Sequence, residues 1–322
     1  MALVSRRDLL ALGSVCVFAR RSSAFEEPKP ADPIEVVRPE FRRTLESALI
    51  TLPAGTMDYA AHDGLGRAAL SRFLEAVFQD VLAAFPSYTK IHVATRVDRR
   101  DFGQRAVKLA GERATQLHVV TDPEVEIEVW AQDLGEPIFQ DGQLRFVVGM
   151  RMDASMGPQS QMSIDRKRVA EIAFGRDAVM EAPFAFEGGN LAFDSRGERT
   201  RVFVGYNVVT RTIAAYAARN RNVTRKEVLA DIARTFGDAE IVVIGDEKQS
   251  PLLQHIDQSF LLLDDQVVVA TRLADESLPT EARQLRRHTD QLRELGYDVV
   301  FLDHESTDVE QGRFSINAVP YV

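Results

Sequence analysis

Short strands and amphipathic helices alternate along this chain, and this alternation restricts the fold more than any other sequence feature. Residues 90–97 alternate polar and apolar side chains as a strand does, and residues 102–113 have the apolar spacing of a helix. The later predicted helices are 165–174, 225–236 and 280–295, and the later predicted strands are 117–120, 126–133, 144–152, 182–186, 191–194, 201–205, 240–244, 255–263, 266–271, 298–302 and 313–319. The pattern predicts a mixed α/β fold.

Such an alternation is first compatible with a doubly wound parallel sheet. Two observations count against that fold. No GxGxxG or GxxxxGK[ST] motif follows a predicted strand, so the usual phosphate-binding turn is missing. Several predicted strands also lie too close in sequence for a helical crossover, which indicates hairpins within each unit. A radial arrangement of mixed αβ units fits both observations better.

The N-terminus has the pattern of an export signal. Residues 5–10, SRRDLL, resemble a twin-arginine motif, and the apolar stretch at 9–19 is too short to span a bilayer, which takes about twenty residues. Small residues at 22–24 offer a cleavage site. The alternative is a basic arm on an ordinary first helix. We predict a signal at 1–24, a Pro-rich linker at 25–33, one domain at 34–322, and a periplasmic or secreted protein without stable membrane insertion after cleavage.

Charge and cysteine content exclude several classes of function. A formal net charge of −9 argues against a general nucleic-acid-binding protein and fits a cationic ligand. The single cysteine, Cys16, excludes an intramolecular disulfide and a CxxC metal or redox site within this sequence. No set of His and Cys residues has metal-ligand spacing, so neither a metal nor a cofactor is predicted.

Three short stretches carry most of the chemical information. They are WAQD at 130–133, FEGGN at 186–190 and HID at 255–257. Each places a carboxylate or an imidazole at the end of a predicted strand, where loops leave room for a ligand. Residues two apart on a strand share a face, so we expect His255 and Asp257 to lie on the same side.

Together the three stretches resemble the guanidino-modifying enzymes of the pentein superfamily, which include agmatine, arginine and protein-arginine deiminases and the amidinotransferases. WAQD is similar to the family's W-x-[RQ]-D, FEGGN to its E-G-G-[ND] and HID to its H-x-D. Their order and approximate spacing agree from about residue 90 onward. The resemblance implies a five-fold αβ propeller, with a last unit that is incomplete in this sequence.

The resemblance also implies roles for these residues. Asp133 and Asp257 would hold the planar guanidinium in forked ion pairs. His255 would protonate the departing ammonia and then activate water. Glu187 would orient His255 or contact the substrate.

Trp130 and Asn190 complete the predicted substrate-binding set, and each of these residues also has a plainer interpretation. Trp130 could be a packing residue beside the site. Asp133 could cap a helix or a turn, and Glu187 could simply occupy a hairpin turn. His255 and Asp257 could form a local hydrogen-bonded pair or half of a metal site.

The family's nucleophile is a cysteine near the end of the chain, and here the sequence departs from the pattern. The stretch FSIN at 314–317 matches the preceding family strand only loosely, and no cysteine follows it. Cys16 lies in the predicted signal. Two hypotheses result: a deiminase acting on peptidyl-arginine, agmatine or arginine whose C-terminal piece is absent from this sequence, or an inactive guanidino-binding relative. Gln132 and the export signal favour peptidyl-arginine.

The twin-arginine interpretation predicts that residues 1–30 export a folded reporter from the cytoplasm. Arg6→Lys combined with Arg7→Lys should abolish export, because that pathway reads the arginine pair itself. Cell fractionation of the two fusions measures the difference. Export that persists in the double variant would exclude the twin-arginine interpretation.

Overall fold

The structure is a computed structural model of the chain. The described residues are 15–20, 35–36, 44–52, 85, 87–96, 108, 111, 117–122, 134–140, 143–152, 158–194, 200–263, 266–275 and 277–310. The predicted linker, the predicted helix at 102–113 and the predicted strands at 126–133 and 313–319 lie outside them, apart from single residues of that helix.

One unit recurs in three sheets: two antiparallel strands, a helical crossover, and a third strand parallel to the second. In sheet B these are β6 (Glu136–Gln140), β7 (Gln143–Val148), α1 (Pro158–Phe174) and β8 (Val179–Glu181), with β2 (Glu35–Val36) on β6. In sheet C they are β9 (Leu191–Asp194), β10 (Arg201–Gly205), α2 (Tyr206–Ala218), α3 (Arg225–Thr235) and β11 (Glu240–Ile244). In sheet D they are β12 (Phe260–Leu262), β13 (Val267–Leu273), α4 (Pro279–Glu294) and β14 (Asp298–His304), and α5 (Ser306–Glu310) follows. The hairpins predicted within each unit are confirmed.

Sheet A contains the first described strand of the chain and three strands that follow β2. It consists of β1 (Val15–Arg20), β3 (Thr44–Leu52), β4 (Lys90–Arg96) and β5 (Leu117–Asp122), in that order. β1 pairs antiparallel with β3, and the remaining neighbours are parallel. β1 falls within the stretch that we interpret as an export signal, and export stays a prediction.

β10 shows how consecutive sheets pack. Because successive side chains on a strand point to opposite faces, Val202 and Val204 face one core and Phe203 faces another. The Phe203 ring lies 5.8 Å from the rings of both Phe260 and Tyr297, which belong to the next unit. A strand buried on both faces needs a continuous apolar run, and the sequence RVFVG supplies it.

The other consecutive sheets also share buried clusters of apolar side chains. Leu49 of sheet A shares a buried cluster with Phe146 of sheet B, and Ile138 of sheet B shares the next cluster with Val202 of sheet C. The sheets therefore pack against one another in chain order. The mixed α/β class with small sheets is confirmed, and the five-fold propeller stays a prediction.

Helix boundaries follow the local signals in the sequence. The side chain of Thr224 accepts a hydrogen bond from the Glu227 backbone while the Glu227 carboxylate accepts one from the Thr224 backbone, so the predicted capping box is present. Gly237 and Gly296 follow α3 and α4 with φ angles of 74° and 85°, which favour glycine.

Three local predictions were wrong. Residues 182–186 are not a strand: Ala182 and Phe184 still bond to residues 148 and 150 at 2.8 Å, but the Ala185 backbone N–H donates to the Thr212 hydroxyl at 3.0 Å. Residues 255–259 form a 3-10 turn at Ile256–Gln258, and the strand begins only at Phe260. Helix α2 occupies residues for which we predicted no helix.

The buried His288 on α4 generates a prediction about acid stability. Burial, together with the charge of Arg287, lowers the pKa of His288 from 6.5 to about 4, while Asp246 acts weakly in the opposite direction. Its Nδ1 lies 2.9 Å from the Ser259 hydroxyl. The unfolded chain therefore binds the extra proton first, and stability should fall by about 3 kcal/mol between about pH 6.5 and pH 4.

His288→Asn keeps a polar group near Ser259 and removes the titration. Its free energy of unfolding, measured by urea denaturation at several pH values, should therefore fall less steeply with acid than that of the wild type. Parallel pH curves for the two proteins would contradict the assignment to His288.

Candidate functional site

The three sequence motifs occupy equivalent positions in three consecutive units. Asp133 lies three residues before β6, Asp257 lies three residues before β12, and Asn190 directly precedes β9. Each motif therefore leads into the first strand of its unit. In sheet C this end of β9 pairs with the end of β10, since Leu191 lies opposite Val204. The motifs thus mark the same edge of the repeated unit.

The structure brings FEGGN and HID into contact. The His255 Nε2 atom lies 2.8 Å from Glu187 Oε2. A Cβ atom placed on Gly189 would lie 2.7 Å from His255 Nδ1 and 2.9 Å from Asp257 Oδ2. Both side chains therefore occupy the space that a residue larger than glycine at position 189 would fill. This explains why the turn needs glycine there.

His255 and Asp257 lie on the same side, but not for the reason that the strand pattern suggested. His255 has extended backbone angles and caps the 3-10 turn, and Asp257 lies within that turn. The His255 backbone N–H donates to the Gln258 side chain at 3.0 Å, which fixes the start of the turn. A tight turn, not a two-residue strand repeat, places the imidazole and the carboxylate together.

Glu187 is the centre of charge in this region. Its Oε1 accepts from Arg166 of α1 at 3.0 Å, and its Oε2 accepts from Arg211 of α2 at 2.7 Å. Burial on its own would raise the pKa of Glu187, but the hydrogen bond from His255 and the charges of Arg166, His255 and Arg211 outweigh it and hold the pKa well below its ordinary value. The carboxylate is therefore ionised and can only accept hydrogen bonds.

The tautomer of His255 follows from that charge. Since the Glu187 carboxylate is an acceptor only, the proton between the two groups lies on His255 Nε2. In the neutral ring, Nδ1 is then the basic nitrogen, and it lies on the side of Gly189 and Asp257.

Two helices hold the loop that carries His255. On α2, the Asn207 side chain donates to the Gln254 carbonyl at 2.8 Å. On α4, Gln284 accepts from the Ser250 backbone at 2.7 Å and donates to the Leu253 carbonyl at 2.9 Å. The buried Ser250 hydroxyl also donates to Glu281. These bonds satisfy the polar groups of the loop and determine where it delivers the imidazole.

Asn190 lies beside the start of α2. It is buried, and its backbone N–H donates to the Glu187 carbonyl at 2.9 Å. A Cβ atom on Gly205 would overlap the Asn190 side-chain oxygen, so the chain needs glycine where β10 leads into α2. Among the described residues the Asn190 side-chain oxygen has no hydrogen-bond partner. Its contact with substrate stays a prediction.

Trp130 and Asp133 lie outside the described residues, and their positions relative to His255 stay predictions. The described residues contain no group of three or more His, Cys, Asp or Glu side chains that could hold a metal ion. None of the helices in the described ranges is both long and apolar enough to cross a membrane.

The sequence analysis missed Arg166 and Arg211, which bind the predicted site residue Glu187. Neither belongs to a recognisable motif. Arg211 could have been found from α2, where the buried residues Val208, Val209, Thr212 and Tyr216 have helical spacing. An arginine on the border of such an apolar stripe indicates a partly buried charge that needs a partner.

Comparisons with known proteins give the family of the chain and structures that share its fold. The sequence model of the Porphyromonas-type peptidyl-arginine deiminase family matches residues 56–303. The chain belongs to this family. None of the curated proteins compared with the chain matches it.

Solved structures of deiminases share the fold of this family member. The agmatine deiminase of C. jejuni is 15% identical with a TM-score of 0.55, and the match covers 90% of this chain and 74% of that chain. A cysteine-to-serine variant of that enzyme with its substrate bound is 14% identical with a TM-score of 0.56 and the same coverage. A Porphyromonas gingivalis protein assigned as an arginine deiminase is 19% identical with a TM-score of 0.56, covering 86% of this chain and 75% of that chain.

The contact at Gly189 predicts that Gly189→Ala displaces His255 or Asp257 while the fold survives, because the added Cβ would meet two side chains. In the matched control Gly149→Ala, the Cβ would lie 2.7 Å from the Phe186 backbone oxygen and 3.0 Å from its nitrogen. The control should therefore lower the melting temperature more.

NMR of the His255 ring and thermal denaturation measure the two effects. The His255 signals should shift in Gly189→Ala. Signals identical to those of the wild type would contradict the placement of His255 against Gly189.

Proposed function

We propose that this chain binds a guanidino group where FEGGN and HID meet and that His255 is the acid and base in its deimination to a ureido group and ammonia. The observation that carries the proposal is the convergence of His255 Nδ1 and Asp257 Oδ2 at Gly189, with Nε2 held by Glu187. A carboxylate and a basic nitrogen on one side suit a planar cation that must also exchange protons.

The proposed chemistry assigns one task to each group. Asp257, with Asp133 from the unit two before it in the chain, would hold the guanidinium through forked hydrogen bonds. A cysteine thiolate, which this sequence does not hold at the family's motif position, would add to the guanidinium carbon, and His255 would protonate the ammonia as its bond to that carbon breaks. His255 would then take a proton from water as it attacks the carbon, which releases the ureido product and the thiolate.

An arginine side chain within a peptide is the substrate class that we propose. The family is named for peptidyl-arginine, and Gln132 and the predicted export signal also favour a substrate outside the cytoplasm. The net charge of −9 suits a cationic peptide.

Binding and turnover must be tested separately, because Cys16 is the one cysteine in the sequence and lies outside the family's motif position. A cysteine-to-serine variant of the C. jejuni agmatine deiminase holds its substrate. Binding without turnover is therefore the second candidate function.

Calorimetry with an arginine-containing peptide and with agmatine tests the binding site. Asp257→Asn and Asp133→Asn should each weaken binding at least about 30-fold, because losing one partner of a desolvated charge pair costs about 2–5 kcal/mol. The control Asp290→Asn, whose carboxylate is exposed on α4 beside Arg293, should leave binding unchanged. Unchanged affinity in both site variants would contradict the proposal.

Ammonia and citrulline release from the same peptide distinguishes the two candidates. Release above that of a His255→Ala control would establish deimination. Binding that depends on Asp257 but yields no ammonia would favour the guanidino-binding protein without turnover.

A further inference from the structure

Arg211 contacts both the FEGGN turn and the loop that leads into HID. Its Nη1 donates to Glu187 Oε2 at 2.7 Å, and its Nη2 donates to the Gln254 side-chain oxygen at 3.3 Å. Gln254 directly precedes His255, which binds the same Oε2 atom at 2.8 Å. One guanidinium therefore contacts both the carboxylate that orients the imidazole and the residue that leads into it.

We propose that Arg211 is a positioning residue for His255: it fixes the Glu187 oxygen that accepts the Nε2 proton and sets how readily the ring takes up a second proton. The proposal deepens the function proposed above and rests on it, since it assigns His255 the work of an acid and base. It concerns a residue outside all three sequence motifs.

The charges around His255 explain why Arg211 should affect how readily the ring takes up a second proton. The charged groups near the ring include Glu187 from the FEGGN turn, Asp257 from its own turn, Arg211 from α2 and, on the other Glu187 oxygen, Arg166 from α1. A lone carboxylate on Nε2 would strongly favour the charged imidazolium. Two arginines on that carboxylate oppose this effect, so their charges help to determine how strongly the imidazolium is favoured.

Arg211 and Arg166 differ in which oxygen of Glu187 they bind. Arg166 binds Oε1, whereas Arg211 shares Oε2 with His255 and so acts on the same hydrogen-bond acceptor. Arg211 also lies one helical turn after Asn207, whose side chain binds the Gln254 carbonyl. One face of α2 therefore holds both the backbone and the side chain of the residue before His255.

An NMR titration of the His255 ring tests the proposal in the full chain without substrate. Arg211→Gln removes a positive charge from the Glu187 carboxylate, so the midpoint of the ring titration should rise by about one pH unit. Arg211→Lys keeps the charge and should keep the midpoint near that of the wild type. The control Arg234→Gln, which removes an exposed arginine that pairs with Asp231 on α3, should not move it.

A second measurement needs no variant and so does not depend on Arg211→Gln folding. In the wild type, the guanidinium signals of Arg211 should titrate with the same midpoint as the His255 ring, because both donate to one oxygen. Those of Arg234 should not respond at that midpoint.

Two results would overturn the proposal. One is a His255 midpoint that stays unchanged in a folded Arg211→Gln protein with a lowered melting temperature, which is the outcome for a purely structural residue. The other is a set of Arg211 signals that ignore the His255 titration. Since neither readout uses a guanidino ligand, failure here is distinct from failure of the binding tests above.

Discussion

The Glu187 carboxylate holds a negative charge where water reaches only 15% of its side chain, and the arrangement of the site depends on how that charge is satisfied. Its partners come from α1, α2 and the loop before β12, which are far apart in sequence. Removing a partner from such a charge typically costs several kcal/mol. Segments from three units are therefore held to one another by a single acceptor group with two oxygens.

The apolar core brings these segments within reach. Because β10 is buried on both faces, sheet C packs on sheet B through Val202 and Val204 and on sheet D through Phe203. At its end, Gly205 lets the chain pass close to Asn190 and begin α2. The direction of α2, and with it the reach of Arg211, follows from where β10 ends. The polar site is thus determined by the apolar packing beneath it.

The sequence predicted the hairpins and most strands, because alternation and residue type are local signals. The family resemblance left two partners open for Glu187, His255 or the substrate, and the structure shows the contact with His255. The sequence could not predict α2, because Val208, Val209, Thr210 and Thr212 are β-branched and favour strands locally, and only their burial against neighbouring sheets makes the helix the better solution. Arg211 was missed with its helix. The strand interpretation of HID failed because its three residues are too few to distinguish an extended segment from a 3-10 turn.

Each of the three motifs precedes the first strand of its unit, so the residues proposed for the chemistry are not the residues that form the sheets. The strands β6, β9 and β12 supply buried apolar side chains to the cores, while the polar residues of the motifs precede them in the sequence. A substitution just before one of these strands can therefore alter the chemistry and leave the packing of its sheet intact. A ligand held by residues from several units would also oppose their separation, so it would stabilise the assembly of sheets and not one sheet alone.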